Sequence, residues 1–260
     1  MRDIAEQVGW EVFPAEEAVR HWVQRTEAWV SDYFGPDPDR GEWRHGGTWF
    51  PGVNILPNDG AGALTGGPPL EGAAALAALQ HEPDCSAPWD RGQISICRPG
   101  YPAQDTGESD SAHRFRRDRD AAHLDGLLPV GAARRRHMQE RHAAILGLPL
   151  NAAPATAAPF VVYEGSHRIM QDMLKDAFRA VNPSDWGAVD VTDAYQAARR
   201  EVFASCPRRP IQTKPGEAFV IHRFTLHGVA PWTAASTEER RIAYFRPETG
   251  RSPHDWLEGP

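Results

Sequence analysis

From residue 92 to residue 247 the chain consists of short apolar segments separated by turn residues and interrupted by one helical stretch, at about 168–204. The segments are QISICRP (93–99), AHLDGLL (122–128), HAAILGLPL (142–150), PFVVYEG (159–165), GEAFVIHRF (216–224) and RRIAYFRP (240–247). A regular alternation of strands and helices is absent, which argues against a doubly wound sheet. Short strands, many Gly and Pro turns and one helical excursion are typical of a β-sandwich or jelly roll with helices packed outside.

The first 90 residues have a different pattern. Residues 15–33 carry Val and Trp at helical spacing, which predicts an amphipathic helix packed on the core. Residues 70–80 predict a second helix, whereas 34–69 are rich in Gly, Pro and Trp and contain only WFPGVNIL as a strand-like segment. We therefore expect one domain over 1–260: an N-terminal helical elaboration (1–90) and a mainly β core (91–250) that contains the helical insert.

Composition excludes several classes of partner. The net charge of −7 does not favour nucleic acid or a membrane surface, both of which select basic proteins. No apolar run reaches the roughly 18 residues needed to span a bilayer, and the N-terminus lacks a hydrophobic signal core. Cys85, Cys97 and Cys206 are widely spaced and predict neither a disulfide framework nor a zinc knuckle. We expect a cytoplasmic protein.

The segment AHLDGLL holds His123 and Asp125, two residues apart. In a strand such residues project to the same face, so one imidazole and one carboxylate could share a metal. His-x-Asp pairs are common by chance, and the prediction depends on a third ligand. His227, directly after the strand-like GEAFVIHRF, is the candidate. Two His and one carboxylate leave three metal positions open, as in non-haem Fe(II) oxygenases.

A cosubstrate beside such a metal needs an anchor of its own. Arg240 and Arg241 open the last strand-like segment, and an arginine fork can hold a carboxylate through two hydrogen bonds. A diacid such as 2-oxoglutarate would reach from the metal to this arginine. Gln93 and Ser95 share one face of their predicted strand and are candidate pocket residues, although an edge strand with one solvated face would show the same pattern.

The segment VVYEGSHR (161–168) lies between His-x-Asp and the distal histidine. The order of these motifs resembles the phytanoyl-CoA dioxygenase family of Fe(II)/2-oxoglutarate oxygenases over about residues 90–247. The resemblance implies a double-stranded β-helix (cupin-like jelly roll) core and iron held by His123, Asp125 and His227. It also implies 2-oxoglutarate and O₂ as cosubstrates, with Arg241 favoured over Arg240 as the anchor. The chain departs from the family pattern at Glu164, Val229 and Trp232, which affects the finer cosubstrate contacts.

The resemblance implies an enzyme, a dioxygenase that hydroxylates a small molecule. Desaturation, cyclisation or bond cleavage at the same iron centre remain alternatives, as does a β-barrel sensor that binds metal without turnover. Asp125 argues against the halogenating branch, where a small residue replaces the aspartate. His167 and His222 are expected to be structural.

Basic tracts flank the predicted iron strand. Arg114, Arg116, Arg117 and Arg119 precede it, and residues 134–136 follow it. If they border the entrance, they favour an anionic substrate, with Arg117 and Trp232 as substrate-binding residues. Asp118 and Asp120 could instead neutralise the first tract in surface ion pairs.

Overall fold

The computed structural model of this chain describes residues 7–71, 74–80 and 88–259, so Cys85 lies outside the described residues. The helices are α1 (Glu17–Phe34), α2 (Ala74–Gln80), α3 (Asp110–Asp118), α4 (Ser166–Phe178), a 3-10 helix (Pro183–Ala188), α5 (Thr192–Ser205) and α6 (Pro253–Glu258). The strands are β1 (Trp10–Phe13), β2 (Trp49–Phe50), β3 (Gln93–Cys97), β4 (Leu127–Val130), β5 (Arg135–Met138), β6 (Ala144–Pro149), β7 (Phe160–Tyr163), β8 (Arg208–Ile211), β9 (Ala218–His222), β10 (His227–Val229) and β11 (Arg240–Phe245).

The strands form two larger antiparallel sheets and one hairpin. The six-stranded sheet has the order β1-β9-β6-β11-β3-β2, and the three-stranded sheet has the order β10-β7-β8. Strands β4 and β5 pair only with each other. Strands that are neighbours in space are mostly distant in sequence, so the sheets are held by long-range pairings.

Alternation along the strands separates an inner from an outer face of the six-stranded sheet. In β9, Phe219 and Ile221 pack with Phe160 and Val162 of the three-stranded sheet. Ala218 and Val220 face the other way, into the cluster that contains the apolar stripe of α1. Because side chains alternate along a strand, this one strand contributes to two separate cores.

Helix α1 covers the outer face with Val19, Trp22, Val23 and Val30, all buried. The indole Nε1 of Trp22 donates to the carbonyl of Gly62 at 2.7 Å, which satisfies the only polar atom of that buried ring. On the opposite side of the molecule, α4 and α5 cover the outer face of the three-stranded sheet. The architecture is therefore helix, sheet, sheet, helix, with the edge strand β8 of the three-stranded sheet largely exposed.

Most elements lie where the sequence predicts them. The helices expected at 15–33 and 70–80 are α1 and α2, and the helical insert contains α4, the 3-10 helix and α5. Two findings differ. The N-terminal part is not only helical, since β1 and β2 form the two edges of the six-stranded sheet.

No helix within the parts of the chain described above has both the length and the apolar character required to span a bilayer.

The second difference concerns AHLDG, which is not a regular strand. His123 forms a single bridge with His227, Asp125 and Gly126 form a turn, and the strand begins only at Leu127. Gly126 adopts φ 82°, and a Cβ there would lie 2.2 Å from the carbonyl oxygen of Glu140. The Asp-Gly turn therefore overrides the apolar pattern, because Gly accepts a positive φ and the close backbone contact at little cost.

Candidate metal centre

The side chains of His123, Asp125 and His227 converge on one point. The Nε2 atom of His123 lies 3.1 Å from Oδ1 of Asp125, and Nε2 of His227 lies 3.6 Å from the same oxygen. All three donor atoms lie within 4.8 Å of one another. Donors on one face of an octahedral metal, each at about 2.1 Å, are separated by about 3 Å, so this spacing is compatible with a shared metal ion.

The backbone brings the two histidines together. His123 N donates to the carbonyl of His227 at 2.8 Å, and His227 N donates to the carbonyl of His123 at 3.1 Å. Each imidazole then places Nδ1 near the carbonyl two residues earlier, Ala121 at 3.1 Å and Thr225 at 2.9 Å. With Nδ1 as the N–H donor, the lone pair on each Nε2 faces Asp125, which is the arrangement seen in metal-ligating histidines.

The site is buried on one side and open on the other. The His227 side chain is 3 % exposed and the Asp125 side chain 12 %, whereas that of His123 is 53 % exposed. The phenyl ring of Phe160 stacks on His227, with centroids 5.3 Å apart and an interplanar angle of 19°. A small molecule would therefore approach from the His123 side.

A charged neighbour keeps Asp125 ionised. Burial opposes ionisation, but the Arg246 guanidinium and His227 outweigh it and hold the pKa of Asp125 well below its ordinary value. Arg246 Nε donates to Oδ2 of Asp125 at 2.5 Å, and Nη1 donates to Oε1 of Gln93. The carboxylate is thus available as a charged ligand at neutral pH.

The loop that carries His123 is fixed by a second buried carboxylate. Asp120 accepts two hydrogen bonds from Arg208, at 2.7 and 2.8 Å, and a third from the Tyr163 hydroxyl at 3.0 Å. Asp120 and Ala121 adopt φ values of 56° and 51°, a strained conformation for residues other than glycine. This network supports the turn immediately before the metal-ligand pair.

The two neighbouring arginines of β11 point to opposite faces of the sheet. Arg240 is 5 % exposed and pairs in register with Cys97, on the inner face. Arg241 lies on the outer face, where it donates to Glu27 of α1 at 2.5 Å and to Glu239 at 2.9 Å. The structure thus places the side chain of Arg241 away from the metal centre, in contrast to the expectation from the resemblance.

Arg240 is a buried cation without a carboxylate partner. Nη2 donates to Sγ of Cys97 at 3.1 Å and the buried Tyr244 hydroxyl adjoins the guanidinium, while no carboxylate among the described residues pairs with the buried Nε and Nη1. Burial raises the pKa of the Cys97 thiol, so the thiol is neutral at neutral pH and does not compensate the charge. Buried charges are normally paired, and an anionic ligand would provide the missing partner.

A cavity of about 350 Å³ lies at this end of the space between the sheets. Arg240, Ile242 and Phe160 line it, together with Arg241, Lys214 and Glu217. Phe160 also stacks on His227, whereas the three metal-ligand candidates themselves do not line the cavity. It is large enough for a small dicarboxylate.

Gln93, Ser95 and Trp232, which the sequence also predicts as site residues, are all buried. Gln93 and Ser95 lie on the inner face of β3 and are buried, opposite Tyr244 and Ile242 in register. Ser95 Oγ accepts from the Trp49 indole at 3.1 Å. Trp232 packs in a cluster with Cys97 and Tyr101 that contains none of the metal-ligand candidates.

The basic tracts are largely neutralised by neighbouring groups. Arg117 is exposed on α3 and is paired with Asp118, from Nε to Oδ1, at 2.8 Å. Arg135 is paired with Asp190 at 2.5 Å and Asp193 at 2.8 Å. The structure does not bring Arg117 to the metal centre, so the predicted basic entrance has little support in the arrangement of these side chains.

His45, Asp105 and Glu108 form a second group of donor atoms within 4.8 Å of one another. Arg116 is paired with Glu108, and its Nη1 lies 3.1 Å from Nε2 of His45. A guanidinium therefore occupies the place that a metal cation would need. This group is an ion-pair cluster.

No protein-family model matches the chain, and no curated protein matches its sequence. Solved structures are similar. AviO1 from Streptomyces viridochromogenes Tue57 has a TM-score of 0.50 and 14% identity, over 97% of this chain and 95% of that chain. At this level of identity the similarity shows a shared fold alone.

Two further structures are similar at lower scores. The non-heme α-ketoglutarate-dependent carbocyclase SnoK from nogalamycin biosynthesis has a TM-score of 0.48 and 14% identity, over 94% of this chain and 81% of that chain. HygX from Streptomyces hygroscopicus, solved with nickel and 2-oxoglutarate bound, has a TM-score of 0.43 and 11% identity, over 94% and 84%. These scores are too low to support an argument about this chain.

Proposed function

We propose that this chain is an Fe(II)- and 2-oxoglutarate-dependent dioxygenase with a jelly-roll core, related to the phytanoyl-CoA dioxygenase family. The observation that carries the proposal is the presence of two features between the sheets. Two imidazoles and one ionised carboxylate converge beside β10, and Arg240, a buried cation without a carboxylate partner, lies on the inner face of β11. A metal alone would explain the first feature but not the second.

The sheet order supports the jelly roll. From β6 to β11 the chain passes back and forth between the two larger sheets, with β6, β9 and β11 in one and β10 and the consecutive pair β7 and β8 in the other. The bridge between His123 and His227 adds the ligand-bearing segment to the edge of the second sheet at β10. With β3 in the first sheet, each sheet has four such segments, an order that supports a jelly roll.

Each residue of the site has a definable task. Nε2 of His123, Nε2 of His227 and Oδ1 of Asp125 would hold the metal on one face. Arg240 would take the far carboxylate of 2-oxoglutarate through Nε and Nη1, two buried donors that no protein carboxylate engages. Phe160 and Ile242 supply an apolar wall that excludes water between the metal and this anchor.

When bound, Fe(II) with 2-oxoglutarate and O₂ would supply the oxidising power that hydroxylates a substrate C–H bond. The exposed edge of His123 would face the substrate, a small molecule that enters from solvent. The residues around the site do not distinguish hydroxylation from desaturation or cyclisation, because those outcomes depend on how the substrate lies relative to the metal.

The test is a binding measurement followed by a turnover measurement. Under anaerobic conditions, Fe(II)-loaded protein should develop a new visible absorption band when 2-oxoglutarate is added, because chelation of Fe(II) by the 2-oxo acid end allows charge transfer between metal and ligand. In air, a panel of small metabolites should then be screened for stimulated release of succinate. Protein that binds Fe(II) but never binds 2-oxoglutarate would contradict the proposal and favour a metal-binding sensor.

A further inference from the structure

The two oxygens of the Asp125 carboxylate have different partners. Oδ1 faces Nε2 of His123 and Nε2 of His227, at 3.1 and 3.6 Å. Oδ2 accepts a hydrogen bond from Nε of Arg246 at 2.5 Å. One oxygen is therefore directed to the metal centre, and the other is already bound to a cation.

Arg246 is itself held in place from two sides. Its Nη1 donates to Oε1 of Gln93, and Nε2 of Gln93 donates to the carbonyl of Pro51 at 2.7 Å, which fixes the orientation of the amide. The Arg246 backbone N–H donates to Oδ1 of Asp90 at 3.1 Å. The guanidinium is planar, so two hydrogen bonds to different partners fix its position and its tilt.

The number of carboxylate oxygens on a metal determines how many positions remain free. Two histidines and one oxygen leave three of about six positions open, enough for a bidentate cosubstrate and O₂. A carboxylate that binds through both oxygens would occupy one of those three. The hydrogen bond from Arg246 competes for Oδ2 and so opposes this second bond.

We propose that Arg246, oriented by Gln93, is a positioning residue that makes Asp125 a one-oxygen ligand and thereby keeps the third metal position free. The inference rests on the proposed function, because it concerns the same metal. The plain alternative is that Arg246 only neutralises a buried charge, in which case any cation at this place would serve equally well.

The number of exchangeable waters on bound Mn(II), measured by water-proton relaxation, separates these possibilities without turnover. Wild-type protein should hold about three waters. In Arg246→Met the second oxygen displaces one water, so the relaxation enhancement should fall by about one third. The Kd for 2-oxoglutarate on the Mn(II) protein should rise about 10-fold or more, the usual effect of losing a partner of a metal ligand.

Three further variants complete the design. Arg246→Lys keeps the charge but cannot bond Asp125 and Gln93 with one planar group, and it should resemble Arg246→Met. Gln93→Leu leaves Arg246 present and unanchored, and it should shift both measurements in the same direction even if Arg246→Met fails to fold. Arg98→Met is the control: this arginine extends from the end of β3 to Asp39 and Glu239, away from the metal centre.

Each outcome has a defined meaning. Three waters and unchanged 2-oxoglutarate affinity in both Arg246→Met and Gln93→Leu would overturn the inference and leave the proposed function intact. Full restoration by Arg246→Lys would overturn it too, because charge alone would suffice. Wild-type protein that binds neither Mn(II) nor Fe(II) would instead overturn the proposed function.

Discussion

His123 and His227 form one reciprocal pair of backbone hydrogen bonds, at 2.8 and 3.1 Å, although they lie in distant parts of the sequence. Their rings are 4.6 Å apart between centroids. The separation of the two Nε2 atoms is therefore fixed by backbone pairing, and the side chains need no reorganisation to meet a shared ligand. A site of this kind depends on the contact between the His123 loop and β10.

We expect His123→Ala and His227→Ala each to lower Co(II) affinity by more than about 100-fold, because each removes one of three protein ligands. His123 is exposed, so its replacement should leave thermal stability unchanged. His227 is buried, and its replacement should cost about 1–3 kcal/mol in the free energy of unfolding. Isothermal titration with Co(II) and thermal unfolding give the two readings. His21→Ala on α1, also exposed, is the control, and near-wild-type Co(II) affinity in either ligand variant would remove that residue from the site.

The two arginines of β11 should show opposite responses. Arg240→Met removes a buried cation without a counter-ion, so stability should stay equal or rise, while 2-oxoglutarate affinity should fall by about 2 kcal/mol, or about 30-fold. Arg241→Met breaks pairs with Glu27 and Glu239, so stability should fall by about 1 kcal/mol and affinity should be kept. Denaturant unfolding and anaerobic titration measure both. An affinity loss confined to Arg241→Met would reassign the anchor.

Gly228→Ala should disrupt the site although the residue has no functional group. A Cβ at Gly228 would lie 2.1 Å from the carbonyl oxygen of Asp120 and 3.1 Å from Cα of Ala122. The added methyl would push the His123 loop away from β10. We expect lower stability, by about 2 kcal/mol, and weaker Co(II) binding. Gly187→Ala, where the nearest atom is 3.5 Å away, should change neither, and wild-type Co(II) binding in Gly228→Ala would show that the loop can move without loss of the site.

Asp105 should contribute pH-dependent stability away from the metal centre. The Gly46 N–H bonds its carboxylate, and this contribution and those of His45 exceed the desolvation cost and lower the pKa of Asp105. A lowered pKa stabilises the fold fully above the unfolded-state value of about 3.9, and the stabilisation is lost as the pH falls through the folded-state value. Asp105→Ala should therefore cost up to about 1 kcal/mol at pH 7, because the side chain is 41 % exposed and solvent screens its charge.

The same Asp105→Ala variant should approach wild-type stability in acid. Urea unfolding at pH 7 and at pH values below about 3.9 would reveal the converging curves. Glu108 belongs to the same cluster and is paired with Arg116, so the stability of Glu108→Gln provides a comparison at a second carboxylate. A difference between Asp105→Ala and wild type that stays constant across this range would mean that the charge of Asp105 contributes nothing.

Most strands lie where the sequence predicts them, but Arg241, which the resemblance favours as the anchor, lies on the outer face of β11. Strand patterns reveal orientation when one face is polar, and in β11 both faces are buried. Ile242 and Tyr244 enter the space between the sheets, whereas Ala243 and Phe245 pack under α1. Four apolar residues in a row carry no alternation, so two adjacent arginines before them could not be distinguished from the sequence alone.

Two site features could have been found from signals already present. The dipeptide Asp125-Gly126 favours a turn, which explains why the ligand aspartate ends its segment rather than continuing a strand. Arg246 directly follows β11 and lies an even number of residues after Arg240, so continuing the strand alternation predicts that both side chains point to the same side. The contact between Arg246 and Asp125 depends on the path of the chain after Asp120, which no local pattern specifies.

The pairing of β1 with β9 has a consequence for the order of folding. Trp10 lies opposite Ile221, so β1 cannot pair with β9 until the chain has been synthesised through β9. Until then β1 is an unpaired segment, and afterwards it covers an edge of β9 that would otherwise be free to recruit another chain. Late sheet closure between sequence-distant strands is slow, and we expect aggregation during refolding to depend on how quickly this one edge is covered.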